Sequence, residues 1–160
     1  MKNILLLALM ICISSLAFSQ KKKVEIEGDT IKVNGAAYAL IFRKTPATPV
    51  YTIKSLDGTP LMNWQFQDFN DPREVSNSNS KGRVTYFQVT FYNDKQQCEI
   101  NPSMATYKSV AKCIVDNELI KDGTIDQEAE NNFVLINGKK FSEQQQSSGG
   151  GSTIIINNNR

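Results

Sequence analysis

The chain has 160 residues, with 18 basic and 16 acidic side chains and no histidine, and its net charge at neutral pH is +2. This length supports one domain with a single hydrophobic core, and the small charge argues against a surface for nucleic acid or anionic membranes. The absence of histidine excludes Ser-His-Asp and Cys-His catalysis and zinc sites that need histidine. No glycine pattern matches a P-loop or a dinucleotide-binding loop, so we expect no bound cofactor.

Residues 1–19 have the three parts of a secretory signal peptide. Lys2 supplies the positive start, residues 4–13 are apolar, and residues 17–19 (Ala-Phe-Ser) form a small-x-small cleavage site. The apolar run is shorter than the roughly 20 residues that a membrane-spanning helix needs. We therefore expect cleavage before Gln20, export to the periplasm or beyond, and no transmembrane segment afterwards. Loss of Lys2 with that segment lowers the net charge from +2 to +1.

Alternating apolar and polar residues dominate the chain from residue 24 to residue 100. The alternation is clearest at residues 62–67 (Met-Asn-Trp-Gln-Phe-Gln), and residues 83–93 are the longest strand candidate. Asn34-Gly35 and Asp57-Gly58 are pairs typical of tight hairpin turns. This pattern predicts an antiparallel meander of five to seven strands.

The polar residues 68–82 are predicted to form a long loop. Trp64, Asp68, Phe69 and Asp71 lie at the junction between a strand and this loop. Aromatic faces beside carboxylates can hold sugars or peptides, so these four are the candidate ligand-binding residues. A core position is the alternative for Trp64, because it alternates with polar neighbours as core side chains do.

The apolar spacing becomes helical after residue 100. Asn101-Pro102 predicts a helix start, with Asn as N-cap and Pro in the first turn, and one main helix is predicted over residues 102–119. Asp126 is predicted to cap a short helical turn. Residues 133–141 are ambiguous between an extension of that helix and a small hairpin, and we favour the hairpin because Asn-Gly follows the apolar run.

These elements predict an α+β domain over residues 20–141, in which an antiparallel meander packs one face on the main C-terminal helix. From residue 142 the composition becomes Gln, Ser, Gly and Asn, which predicts a disordered tail over residues 142–160. The three isoleucines at 154–156 are an exception, since they could pair with an exposed sheet edge.

Two cysteines, Cys98 and Cys113, remain after removal of the signal peptide. A disulfide between them fits an exported protein and would contribute about 3 kcal/mol. The alternative is a pair of buried free thiols that act as small apolar side chains. The sequence leaves both open.

Short segments spread over residues 24–141 include Val33-Asn34-Gly35, Ser55-Leu56-Asp57-Gly58 and Lys121-Asp122-Gly123. Together with the export signal that ends at Ser19-Gln20, they resemble small exported domains of unassigned function from Bacteroidetes-type Gram-negative bacteria. The resemblance implies an export route and no particular activity.

The chemistry of the chain favours a non-enzymatic binding or accessory module for a protein or glycan ligand. One alternative is a carboxylate-dependent hydrolase acting on glycans, which requires two carboxyl groups roughly 5–10 Å apart. Another is an inhibitor of a hydrolase, which would present residues 68–82 as an exposed loop. No metal site and no nucleic-acid partner is expected.

Overall fold

The computed structural model describes residues 22–44, 49–101 and 106–148. Seven strands form one antiparallel sheet in which each strand pairs with its neighbours in sequence, which confirms the predicted α+β meander. The strands are β1 (Val24–Glu27), β2 (Thr30–Val33), β3 (Ala36–Arg43), β4 (Val50–Lys54), β5 (Pro60–Asn70), β6 (Arg83–Phe91) and β7 (Gln97–Ile100).

The helices and a short ribbon follow the sheet in the described part of the chain. A single 3₁₀ turn, Pro72–Glu74, also lies between β5 and β6. The later elements are α1 (Tyr107–Asp116), β8 (Ile120–Lys121), β9 (Thr124–Ile125), α2 (Gln127–Asn137) and α3 (Lys140–Ser147). The predicted signal peptide and residues 149–160 lie outside the described residues.

One face of the sheet forms the core. Tyr51 lies opposite Trp64, Trp64 opposite Val89, and Val89 opposite Cys98, and all four are buried. Helix α1 covers this face with its own buried residues, Val110, Ala111, Cys113, Ile114 and Val115. Each large apolar side chain buried here contributes on the order of 1.5–3 kcal/mol before entropy is counted.

Helix α1 is shorter than predicted at both ends. Its N-cap is Thr106, whose side chain accepts a hydrogen bond from the Ser109 N–H at 3.1 Å, and residues 102–105 are outside the description. Threonine is a strong N-cap, so the helix does not need Asn101 in that role. The helix ends before Leu119 because Glu118 has a φ of 53°, which no helical residue adopts.

The predicted hairpin at residues 133–141 is wrong, because α2 continues to Asn137. Its N-cap is Asp126, as predicted, and Gly138 ends it with a φ of 57° and an N–H that donates to Val134 O. A glycine with positive φ suits a helix end as well as a hairpin turn. The apolar run at residues 133–136 suggested a buried strand, but Leu135 is exposed in the fold and Phe133 is buried.

The predicted domain boundary at Phe141 falls inside α3, so the described fold extends beyond it. Sequence composition gave no sign of α3, since the helix has no apolar stripe. Its first turn is held by the buried carboxylate of Glu99, which accepts hydrogen bonds from the N–H groups of Phe141 at 2.7 Å and Ser142 at 2.9 Å. Phe141 also stacks on Tyr86, with 5.1 Å between ring centroids.

Candidate functional site

The sheet face opposite the core carries rows of uncharged polar side chains. Because cross-strand partners point to the same side, Thr52 lies beside Asn63, Asn63 beside Thr90, and Thr90 beside Gln97. With strands about 4.8 Å apart, this row spans roughly 14 Å. The next row places Gln65 beside Gln88. We name the set the polar face: Thr52, Asn63, Gln65, Gln88, Thr90 and Gln97.

Side chains of the polar face bond to one another and leave capacity for a ligand. The Gln88 amide donates to Gln97 Oε1 at 3.3 Å, and the Gln97 amide donates to Thr90 Oγ1 at 3.3 Å. Asn63 Oδ1 has no hydrogen-bond partner within the described ranges, although it is shielded from solvent. An unsatisfied acceptor of this kind is costly in an isolated protein.

The borders of the polar face are set by an aromatic ring and by α3. Phe42 lies opposite Thr52, and the Lys54 ammonium lies 5.3 Å from the centre of its ring. On the other side, Glu99 lies opposite Gln88, but its carboxylate is occupied by the first turn of α3. None of the six side chains of the polar face is buried. Gln65 is exposed and the other five are half-buried, so the polar face is partly accessible and uncharged, with charge only at its margin.

Trp64, the aromatic residue of the sequence-predicted site, lies in the core. It has no solvent exposure, and its ring lies 6.3 Å from Phe87 and 6.5 Å from Phe133, measured between centroids. Its Nε1–H points to Met62 Sδ at 3.3 Å. The core interpretation of Trp64 is the one that the structure supports.

The other three predicted site residues do not converge on a cleft. Strand β5 runs to Asn70, so Asp68 and Phe69 belong to a strand and not to the predicted loop. Their side chains alternate: Asp68 forms an exposed ion pair with Arg83 at 2.7 Å, and Phe69 packs edge-on against Tyr86. Since Phe69 lies five positions after Trp64 in the same strand, an odd number, their side chains point to opposite faces.

Asp71 is fully buried and has a structural role. It accepts hydrogen bonds from the Arg73 backbone N–H and, through both oxygens, from the Arg73 guanidinium. Gln144 of α3 donates to it at 3.0 Å. These hydrogen bonds, chiefly those from Arg73, hold the pKa of Asp71 well below its usual range. Asp71 thus ties the β5–β6 connection to α3 and has no free lone pair directed at a ligand site.

A groove of about 490 Å³ lies between the end of α1 and α2, and carboxylates line it. Three of these four carboxylates are engaged: Asp116 pairs with Lys112, Glu118 pairs with Lys22, and Asp126 caps α2, whereas the fourth, Glu128, is exposed on α2. Such engagement leaves the three engaged groups unsuited to the acid and base roles of glycoside hydrolysis.

Two carboxyl groups that the sequence analysis did not single out, Asp94 and Glu130, join the turn between β6 and β7 to α2. Glu130 is fully buried, and its carboxyl lies within hydrogen-bonding reach of that of Asp94. Burial, reinforced by Asp94, raises the pKa of Glu130 to about 7, while hydrogen bonds from Gln96 lower the pKa of Asp94 to about 2. The two groups are in direct contact, which leaves no room for a sugar between them.

Cys98 and Cys113 are free and buried, so of the two alternatives that the sequence leaves open the structure has the pair of buried thiols and not the disulfide. Helix α1 packs mainly against β1, at the opposite edge of the sheet from β7, and does not bring Cys113 to bonding distance of Cys98. Burial raises the pKa of the Cys98 thiol to about 12 and that of the Cys113 thiol to about 11. Both act as small apolar side chains.

This burial predicts that neither thiol reacts with iodoacetamide while the protein is folded, because the thiolate is the reactive form. Mass spectrometry of protein treated at about pH 8 should find Cys98 and Cys113 unmodified, and both should be alkylated in denaturant without prior reduction. A requirement for reductant before alkylation would reveal a disulfide and contradict the structure.

No protein-family model, curated protein or solved structure matches this chain. Across residues 22–44, 49–101 and 106–148, no helix has the length and apolar content to cross a membrane. The same residues contain no group of three or more His, Cys, Asp and Glu side chains that could hold a metal ion. A functional proposal for this protein therefore rests on the geometry of the described residues.

Proposed function

We propose that this protein is an exported, non-enzymatic binding module whose polar face binds an uncharged, hydroxyl-rich ligand such as a glycan. The observation that carries the proposal is the uninterrupted row from Thr52 to Gln97, which offers amide and hydroxyl groups on four adjacent strands. Amides and hydroxyls both donate and accept hydrogen bonds, so they complement sugar hydroxyls without a charge requirement.

The lack of charge on the polar face supports a binding role. Exposed surfaces of small domains usually interleave Lys, Arg, Glu and Asp, whereas the centres of interfaces are depleted of charge. Here the charged groups stand at the margin: Lys54 lies beside Phe42, and Glu99 is bound to α3. A ligand on the polar face would therefore desolvate amides and hydroxyls but no ion.

Three of the groove carboxylates and the Asp94–Glu130 pair support binding over hydrolysis. Asp116, Glu118 and Asp126 are engaged in ion pairs or a helix cap, and Asp94 and Glu130 touch each other. Glycoside hydrolysis needs two carboxyl groups about 5–10 Å apart with a sugar between them.

The test is binding to a panel of neutral polysaccharides by affinity electrophoresis and calorimetry. Replacing both Gln65 and Gln88 with alanine removes the central amides of the polar face. Loss of two net hydrogen bonds should weaken binding by about tenfold or more. The matched control is Gln146→Ala on α3, an exposed glutamine that is not part of the polar face, which should bind as the native protein does.

Two results would contradict the proposal. Binding that the paired Gln65 and Gln88 substitutions leave unchanged would move the site elsewhere on the molecule. Release of reducing sugar by the pure protein would replace a binding module with a hydrolase. Export is tested separately, by finding whether the protein purified from the periplasm begins at Gln20.

A further inference from the structure

Glu130 brings a carboxyl group to the edge of the hydrophobic core. Phe133, one turn further along α2, packs against Trp64 and Phe91, so this side of the helix faces inward. Glu130 itself has no solvent exposure. Its Oε2 accepts a hydrogen bond from Asn93 Nδ2 at 2.6 Å, whereas its Oε1 is buried and no side chain or backbone group of the described residues donates to it.

The groups that face Glu130 come from three elements. The turn between β6 and β7 contributes Asn93 and Asp94, α2 contributes Gln127, and β7 contributes the neutral thiol of Cys98. Lys95 belongs to the same turn, but its ammonium donates to Tyr92 O. Within the described residues neither Asp94 nor Glu130 forms an ion pair. No cation is therefore in place to stabilise two adjacent negative charges.

The environment of Asp94 differs from that of Glu130. Its Oδ1 accepts from the Gln96 backbone N–H at 3.0 Å, and its Oδ2 accepts from the side-chain amides of Gln96 at 2.7 Å and Gln127 at 3.2 Å. Three donors stabilise the ionised form of this exposed carboxyl. The proton of the pair therefore belongs on Glu130, where Oε1 can donate it to Asp94.

We propose that Asp94 and Glu130 share a single proton that fastens α2 to the β6–β7 turn, and that release of this proton above neutral pH loosens the junction. The shared proton satisfies the buried Oε1 of Glu130 and leaves one negative charge on the pair. Its loss places a second charge on a side chain that solvent does not reach and that no cation faces, which is unfavourable. The inference does not depend on the ligand of the polar face.

The sign of the pH effect follows from the two states of Glu130. In the unfolded chain its pKa returns to about 4.5, whereas burial raises the pKa to about 7 in the folded protein. Between these values the folded state holds the extra proton, so stability falls as pH rises through this window and then levels off. Asp94, whose pKa is lowered to about 2, contributes in the opposite direction and only at acid pH.

The experiment compares the native protein with Glu130→Gln, a neutral side chain of the same shape that can still donate to Asp94. Urea unfolding should show the unfolding constant of the native protein rising between about pH 5 and pH 8 on the order of 50-fold more than that of Glu130→Gln. Glu128→Gln is the matched control, because Glu128 is exposed on the same helix, and it should keep the native pH dependence.

Carbon-13 NMR of the Glu130 carboxyl supplies a readout that does not depend on the variant folding. The titration midpoint should lie near 7, and it should move down in Asp94→Asn, where the neighbouring negative charge is gone. Amide exchange in α2 and in the turn should speed up above the midpoint in the native protein. A Glu130 midpoint near 4.5, or equal pH dependence in the native protein and Glu130→Gln, would overturn the proposal.

Discussion

Replacement of Gly82 with alanine should destabilise the protein severely. Gly82 is buried with a φ of 60°, and a Cβ placed there would lie 2.0 Å from the Asp71 carbonyl oxygen. The two residues are joined by a backbone hydrogen bond, in which the Asp71 N–H donates to Gly82 O at 2.8 Å. The backbone would have to separate, and Asp71 would lose its alignment with Arg73 and Gln144. We expect a loss of about 3–5 kcal/mol in the free energy of unfolding.

Gly28→Ala is the control that isolates the steric effect. Gly28 has a φ of 58°, nearly the same as Gly82, but no atom lies within 4 Å of its added Cβ. Both variants carry the penalty of an alanine in the left-handed region, about 1–2 kcal/mol. Urea unfolding of the two should therefore differ by the cost of the contact with Asp71. Equal stabilities would show that Gly82 does not approach Asp71 as closely as the structure indicates.

Trp64→Ala should lower the free energy of unfolding by about 3–5 kcal/mol, as expected for removal of a large aromatic side chain from a core. Trp64 has no solvent exposure and packs between Phe87 on the sheet and Phe133 on α2. The cavity would remove the contact between Trp64 and Phe133 that holds α2 on the sheet, so amide exchange along α2 should increase most. If Trp64 were instead a ligand-binding residue, the substitution would reduce binding with little effect on stability.

Trp64→Phe is the matched variant, since it keeps a ring in the cavity. It should destabilise the protein by less than Trp64→Ala and leave polysaccharide binding unchanged. Trp64 is also the single tryptophan of the chain, so the native fluorescence reports on this position alone. Emission should be blue-shifted in the folded protein and move to the red on unfolding. Red-shifted emission from the native protein would place Trp64 in solvent and contradict the core assignment.

The strands were predictable because their side chains alternate. In β5, Met62 and Trp64 occupy the core face while Asn63 and Gln65 point away, as residues 62–67 indicate. The polar half of this alternation was the available signal for the polar face. What the sequence could not supply is the register between strands, which places Asn63 beside Thr52 and Thr90. Register depends on pairing between segments that are distant in sequence.

The predicted ligand-binding residues show that closeness in sequence does not place side chains in one site. Trp64, Asp68, Phe69 and Asp71 lie close together in the chain, but they occupy the core, an ion pair, an aromatic contact and a buried hydrogen-bond network. Extension of β5 to Asn70 separates them by alternation. Strand β5 extends to Asn70 because its last residues pair with Arg83 and its neighbours in β6. Residues 68–71 alone contain no pattern that predicts this pairing.

The sequence alone determined the class of the fold. Strands that alternate with period two and are joined by hairpin turns can bury their one apolar face by forming an antiparallel meander. Only the tertiary structure decided the roles of Glu99, Asp71 and Glu130. Each is a carboxyl group buried by an element remote in sequence: Glu99 and Asp71 by α3, and Glu130 by the β6–β7 turn. The free energy of a buried charge depends on which donors surround it, and those donors are assembled only when the chain folds.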